Sequence, residues 1–181
     1  MKILAAVLML QLSVTAYAAE YSKVQLGNSK ITFLSTQMGV PVQGDFKKFG
    51  ADVRLNPAKP ESGSAKIAIE LASIDAGSAE ANDEVKGKNW FNVAEFPRAE
   101  FISGSVKALG GGNFEVLGKL TIKGKSMEVH SPFTIRENKG VLEIDGAFTL
   151  KRLDFGIGSG IWSDTSVVAD EVQIGFHIVV K

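Results

Sequence analysis

There is no cysteine in this 181-residue chain. That excludes disulfides, thiol catalysis, a thiolate metal site and a lipidated cysteine of the lipoprotein type. Histidine is nearly missing too. The two present, His130 and His177, fall on the phase opposite their apolar neighbours and are expected to face outward rather than ligate a metal. There is no Gly-rich phosphate loop and no nucleophile elbow. The acidic pairs Asp83-Glu84 and Asp170-Glu171 are adjacent in sequence, so their carboxylates diverge and do not form an acid–base pair. An excess of one charge is also lacking. Lys and Arg total 20 and Asp and Glu total 20, so nothing steers the chain toward nucleic acid or anionic lipid heads. No catalytic or metal-binding residue is assigned.

Long apolar runs are confined to the start. Lys2 precedes an unbroken apolar stretch over residues 3–10, and Ala16-Tyr17-Ala18 has the small-x-small form of a cleavage site. This pattern reads as a secretory signal over residues 1–18. It is too short for a permanent span. The remaining residues, 19–181, are expected to form one exported domain, with the periplasm as its compartment. Without Lys2 the basic count is 19 against 20 acidic, a net charge near −1. Lacking disulfides, such a domain rests on its apolar core, and its length suffices for one.

Helical periodicity is nearly absent after the signal, and period-two alternation fills the chain. Ile31 and Phe33 alternate with Thr32 and Leu34, and Ile67, Ile69 and Leu71 with Ala68 and Glu70. Phe114, Val116, Gly118, Leu120 and Ile122 form one face. Met127 to Ile135, Leu142 to Leu150 and Val172 to Val180 follow in the same way. Turn signals at Gly27-Asn28, Asn56-Pro57, Lys123-Gly124 and around Gly110 and Gly140 separate the runs, which favours antiparallel hairpins. Eight or nine long strands are expected. Gly118 and Gly146 sit mid-strand on the apolar face, where glycine marks a bend or a close approach of backbone or ligand. A closed barrel and a two-sheet sandwich both satisfy this pattern.

The alternation stops twice. Residues 73–97 turn small and acidic and finish in an aromatic group, Trp90, Phe91 and Phe96. A short helix is expected between Ser78 and Gly87. A second helical piece is expected at Asn92, with Glu95 three residues on as a capping box. The rings either plug a core or form the underside of a lid. Residues 152–162, RLDFGIGSGIW, read as either a long hairpin loop or one lip of a cavity mouth.

In order and at spacing, several motifs resemble the YceI-like family. They are Ser73-Ile74-Asp75, Trp90-Phe91-Asn92, Phe96-Pro97, Leu120-Thr121-Ile122-Lys123-Gly124, Arg152 with Asp154-Phe155-Gly156-Ile157, and Asp170-Glu171-Val172 with Ile174. Gly39, Gly44, Phe46 and Phe49 fit its early Gly-rich strand pair. The resemblance implies an all-β, lipocalin-like, eight-stranded antiparallel barrel with a short helical lid between strands. It also implies a polyisoprenoid lipid, polyprenyl quinone-like, held in an apolar tunnel and carried without catalysis or a catalytic cofactor.

The residues expected to meet that lipid are Phe33, Phe46, Ile67, Ile69 and Leu71 from the first strands, and Trp90, Phe91 and Phe96 from the lid. Phe101, Phe114, Gly118, Leu120, Phe133, Gly146, Phe148, Ile174 and Phe176 come from the later strands, and Phe155 and Trp162 from the wide loop. The chain departs from the family pattern where Gln37-Met38-Gly39 stands in place of a histidine before the glycine. It departs again where Asn82 stands in place of an acidic residue. Two other readings remain open. One is an enzyme acting on a lipid, with Arg152 and Asp154 as its polar groups. The other is a stress or accessory factor for a membrane redox protein of cytochrome b561 type. A homodimer is a further expectation.

Overall fold

The computed structural model describes residues 20–181; the signal-peptide expectation lies outside them. Ten strands are present: β1 Lys30–Gln37, β2 Val40–Phe46, β3 Phe49–Arg54, β4 Ser64–Glu70, β5 Ile74–Asp75, β6 Arg98–Gly110, β7 Asn113–Ile122, β8 Lys125–Asn138, β9 Val141–Lys151 and β10 Glu171–Val180. Among the described residues there is one α-helix, α1, Ala79–Lys86. The strands form one antiparallel sheet in the order β3-β4-β6-β7-β8-β9-β10-β1-β2-β5.

Ten ladder segments stand where eight strands were expected, because two long strands are each bent. β2 and β3 are parted only by Lys47 and Lys48, and β4 and β5 only by a 3-10 turn at Leu71–Ser73. Across the bend the two chains stay paired. Lys47 N–H donates to the Ser73 carbonyl at 3.1 Å, and Glu70 N–H donates to the Lys48 carbonyl at 3.0 Å. With residues 40–54 and 64–75 each taken as one strand, β2 pairs β5 and β3 pairs β4. The sheet thus returns on itself as eight strands, and the barrel reading replaces the sandwich. Closure removes the unpaired edges that an open sheet would expose.

The tight turns have the chemistry their backbones require. Met38-Gly39, Lys123-Gly124 and Lys139-Gly140 each place both central residues at positive φ, near 50° and then 75–80°. This is the mirror-image turn whose twist suits a two-residue hairpin. In α1, the Ser78 side chain accepts from Ala81 N–H at 3.1 Å, and Gly87 N–H closes the other end on the Glu84 carbonyl at 2.9 Å. The second expected helical piece is absent. Asn92 takes φ 50°, its amide donates to the Glu95 carboxylate at 2.8 Å, and its carbonyl accepts from Glu95 N–H and Phe96 N–H. Residues 88–95 are therefore turns.

One end of the barrel is sealed by packing. Tyr21 and Val24 pair as isolated bridges with Leu55 and Val180. The Tyr21 hydroxyl donates to Glu137 at 2.7 Å, which, with burial, raises the pKa of the phenol. Beneath lie Leu142 and Val180, both fully buried, and a stacked Phe114–Phe133 pair with ring centroids 5.4 Å apart. The other end carries the β1–β2 and β7–β8 hairpins, α1 with its following turns, and the long β9–β10 connection.

Candidate functional site: an apolar cavity with one built rim

Inside the barrel is a cavity of about 600 Å³. Its walls are the inward phases of the strands. Ile31, Phe33, Ser35 and Gln37 of β1 alternate into it, so that face changes from apolar to polar toward the rim. Of the residues expected from sequence, Phe33, Phe46, Ile67, Ile69, Leu71, Trp90, Phe91, Phe101, Leu120, Phe133, Phe148, Trp162, Ile174 and Phe176 line the cavity.

Five others do not. Gly118 and Gly146 lie beneath phenylalanine rings. A Cβ on Gly118 would collide with the Phe101 ring and come within 2.7 Å of the Ile102 carbonyl. One on Gly146 would collide with the Phe176 ring and come within 2.7 Å of the Pro132 carbonyl. Gly44 does the same for Phe33. Each missing side chain lets a cross-strand ring lie flat on the sheet, and it is the ring that meets the cavity. Phe114 is buried in its stack with Phe133. Phe155 is 2% exposed, in a 3-10 turn beside the cavity. Phe96 packs outside, over Gly124.

The polar lining was not anticipated in full. Glu80 and Glu84, one turn apart on α1, reach the cavity, as do Arg54, Ser64, Ser131, Gln37 and Arg152. Glu84 accepts from the Trp90 indole N–H at 3.2 Å. Asn82 satisfies the chain just before the helix, where its side-chain oxygen accepts from Ala76 N–H at 2.6 Å.

Arg152 is 1% exposed, and every donor of its guanidinium is used. Nε donates to the Ala169 carbonyl at 3.0 Å. Nη1 donates to Ile157 and Gly158 at 2.9 and 3.1 Å, and Nη2 to Trp162 and Val168, both at 2.7 Å. Its carbon lies 5.7 Å from the centroid of the Trp90 ring, a cation–π contact. Burial pulls its pKa below the ordinary arginine value and nearby Asp170 acts the other way, yet an arginine stays charged. Asp154 is exposed, with its backbone carbonyl taking Lys125 Nζ at 3.0 Å. Arg152 and Asp154 do not form the polar pair that the lipid-enzyme reading invoked. Arg152 is a staple for the β9–β10 connection.

That connection is one lip of the mouth, with Ile157, Trp162 and Val168 lining the cavity, and it is joined to the lid segment. Gly158 and Ser159 N–H groups both donate to the Asn89 carbonyl, at 2.9 and 2.7 Å. Trp162 packs on Trp90 with centroids 5.5 Å apart. Lys123 Nζ donates to the carbonyls of Lys88 and Gly156, and burial lowers its pKa, with Lys125 acting the same way. Gly156, Gly158 and Gly160 take φ between 66° and 77°, so they serve this shape rather than looseness. Lid and loop form one rim.

Both histidines lie outside the cavity. His177 Nδ1 sits 2.7 Å from Asp145, which also receives Arg136 at 2.8 Å; His130 is exposed. Among the described residues no three His, Asp or Glu side chains gather as a metal site, and no helix is long and apolar enough to cross a membrane.

The chain has known relatives. A UPF0312 protein of Azotobacter vinelandii is 30% identical over 151 residues, 78% of each chain. The crystal structure of Burkholderia cenocepacia BcnA superposes with a TM-score of 0.86 at 46% identity, covering 88% of this chain and 100% of that one. A polyisoprenoid binding domain from Saccharophagus degradans, implicated in plant cell wall breakdown, shares the fold at 16% identity, with a TM-score of 0.67 and coverage of 91% and 99%. The model of the YceI-like domain matches residues 23–180, and the chain belongs to the YceI-like family.

Proposed function

We propose that this protein is an exported, periplasmic carrier that holds a polyisoprenoid lipid, polyprenyl quinone-like, in the barrel cavity without catalysis. The observation that carries the reading is the cavity itself. Protein interiors are close-packed and rarely hold voids much larger than a water molecule, whereas this one is about 600 Å³, inside the range of about 300–1,000 Å³ typical of ligand sites. Water fills such a space poorly, because it needs two to four polar partners and these walls are mostly aliphatic and aromatic. A flexible apolar chain fills it well.

Arg54 and Ser64 lie at the sealed end, and the larger polar group lies at the mouth, where the head of a chain with a polar end would rest. Ser35, Gln37, Glu80 and Glu84 gather at this rim, and the tail runs between Phe33, Phe101 and Phe176. Family membership agrees with lipid binding, and so does the neighbour described as a polyisoprenoid binding domain.

The reading is tested by uptake of a polyprenyl quinone, compared with a Ser131→Phe variant. Ser131 lines the cavity, and the only bond its hydroxyl makes is a 3.4 Å donation to the adjacent Pro132 carbonyl. A ring there occupies the tunnel without breaking a strand. Uptake by the wild type and its loss in the variant is the expected result; no uptake by either sinks the proposal.

A further inference from the structure

Three two-residue hairpins share one backbone geometry and differ in one choice. Lys123-Gly124 and Lys139-Gly140 place lysine at φ 51°, and Met38-Gly39 places methionine at φ 50°. A non-glycine residue in this region is uncommon, and Asn or Asp is the usual choice there. Of the other two tips, Lys139 meets solvent, and Lys123 folds over to donate to the Lys88 and Gly156 carbonyls. Met38 is 76% exposed at the rim of the cavity. Nothing in the turn itself calls for methionine.

Met38 is not isolated. The large apolar side chains most exposed among the described residues are Ile161 at 80%, Met38 at 76% and Val40 at 62%. All three belong to the segments that ring the mouth. Met38 N–H donates to the Val167 carbonyl at 2.8 Å, and Gln37 bridges Val168. Val168 and Trp162 give their carbonyls to the same Arg152 nitrogen, which brings the Ile161–Trp162 turn beside the β1–β2 tip. Gln37, Val42, Trp162 and Val168 line the cavity directly below.

Charge is sparse in the same place, with Asp164 the one charged residue among 35–44 and 155–169. In a chain that is 22% charged, residues 35–44, 155–163 and 165–169 contain no Asp, Glu, Lys or Arg. Charged groups border it: Asp164, whose carbonyl accepts from Val167 and Val168 N–H, Lys123 on the β7–β8 hairpin, and α1, whose Glu80, Asp83 and Glu84 outnumber Lys86. Single exposed apolar residues are ordinary on a protein surface; apolar residues grouped on a sparsely charged stretch of rim mark a contact site.

We infer that the mouth of the barrel docks on a lipid bilayer, with Met38, Val40 and Ile161 dipping into the boundary between head groups and acyl chains of a zwitterionic surface, so that cargo passes between bilayer and cavity without crossing water. The inference rests on the carrier reading for the cargo. The occupant follows from the rim: protruding uncharged apolar tips are continuous with an apolar cavity, and the acidic α1 beside them disfavours anionic lipid.

The test compares the purified protein with Met38→Lys/Ile161→Ser. Lysine is already tolerated at this turn geometry twice in the chain, and Ile161 is surface. Co-sedimentation with phosphatidylcholine vesicles is expected to fall at least ten-fold in the variant, and wild-type binding is expected to fall when phosphatidylglycerol is mixed in. Uptake of farnesol from vesicle-free solution, followed by the fluorescence of Trp90 and Trp162, is expected to be equal in both proteins, which shows that the barrel is intact. Equal sedimentation of the two proteins, or none by either, overturns the docking surface. So does a wild-type dimer that the substitutions dissolve, since a second copy then covers the tips. Vesicle binding that depends on the tips, with no farnesol uptake by either protein, keeps the surface and removes the carrier.

Discussion

The two ends of this barrel are closed by different means. At the sealed end, side chains do the work: Tyr21, Leu55, Phe114, Phe133, Leu142 and Val180 pack into one cluster, and the chain crossing it adds backbone bridges at Tyr21 and Val24. At the rim, backbone carbonyls and one cation do the work. Two connections of irregular shape are held by Arg152 through five donations, by Asn89 through its carbonyl, and by the Trp90–Trp162 contact. The packed apolar plug forms the floor of the cavity, to which Leu55 and Phe133 contribute. A hydrogen-bonded rim can be rigid while standing away from the axis, which is what a cavity mouth requires.

That comparison is broken most severely at Arg152. Arg152→Leu strands buried carbonyls of Ile157, Gly158, Trp162, Val168 and Ala169. With unsatisfied buried groups costing about 1–3 kcal/mol each before relaxation, a loss of about 3–5 kcal/mol by urea unfolding is expected. Arg152→Lys is expected to recover only part of it, because one ammonium cannot reproduce the guanidinium fork. Full recovery by lysine would show that charge, not the fork, holds the rim.

Next in size is Gly146→Val, in the wall between the two ends. The Phe176 ring has to leave the sheet and the Pro132 carbonyl has to yield. Overpacking of this kind costs about 1–3 kcal/mol, and the displaced ring is expected to reduce ligand uptake as well. Unchanged stability would mean that the ring does not rest on the glycine. The smallest effect is expected at the sealed end. Tyr21→Phe removes one hydrogen bond to Glu137 and keeps the packing, so a loss of about 0.5–1.5 kcal/mol with unchanged uptake is expected from thermal unfolding and binding. Lost uptake would mean that the sealed end also governs access.

Much of the wall was legible because one rule governs it. Phe114, Val116, Leu120 and Ile122 follow the period of two, and β7 buries each of them. Gly118 follows the same phase and still does not line the cavity, because the ring above it comes from Phe101 on β6, two residues off the direct pair. Gly146 sits directly opposite Phe176. Such facts belong to strand register, which alternation alone does not contain. Phe155 and Phe96 fall in irregular segments, where no period assigns a face. Glu80 and Glu84 look like any acidic helix surface; only the placement of α1 at the cavity mouth turns them toward the cavity. The bends at Lys47-Lys48 and Leu71–Ser73 explain why ten segments stand for eight strands, and each shifts the inward phase by one residue, from Val42 and Phe46 to Val53 and from Ile67 and Ile69 to Ile74, which a single period of two does not predict. Arg152 was visible as a feature of the wide loop, but its five carbonyl partners are set by how that loop folds back on itself.

The central claim is that the barrel is occupied by an isoprenoid chain. Native mass spectrometry of the protein purified from the cells that produce it, wild type beside Ser131→Phe, tests it most directly. The account predicts a bound species on the wild type whose mass, after extraction, belongs to a polyisoprenoid lipid, and its absence from the variant. A wild-type protein that carries nothing and takes up no polyprenyl quinone would contradict it.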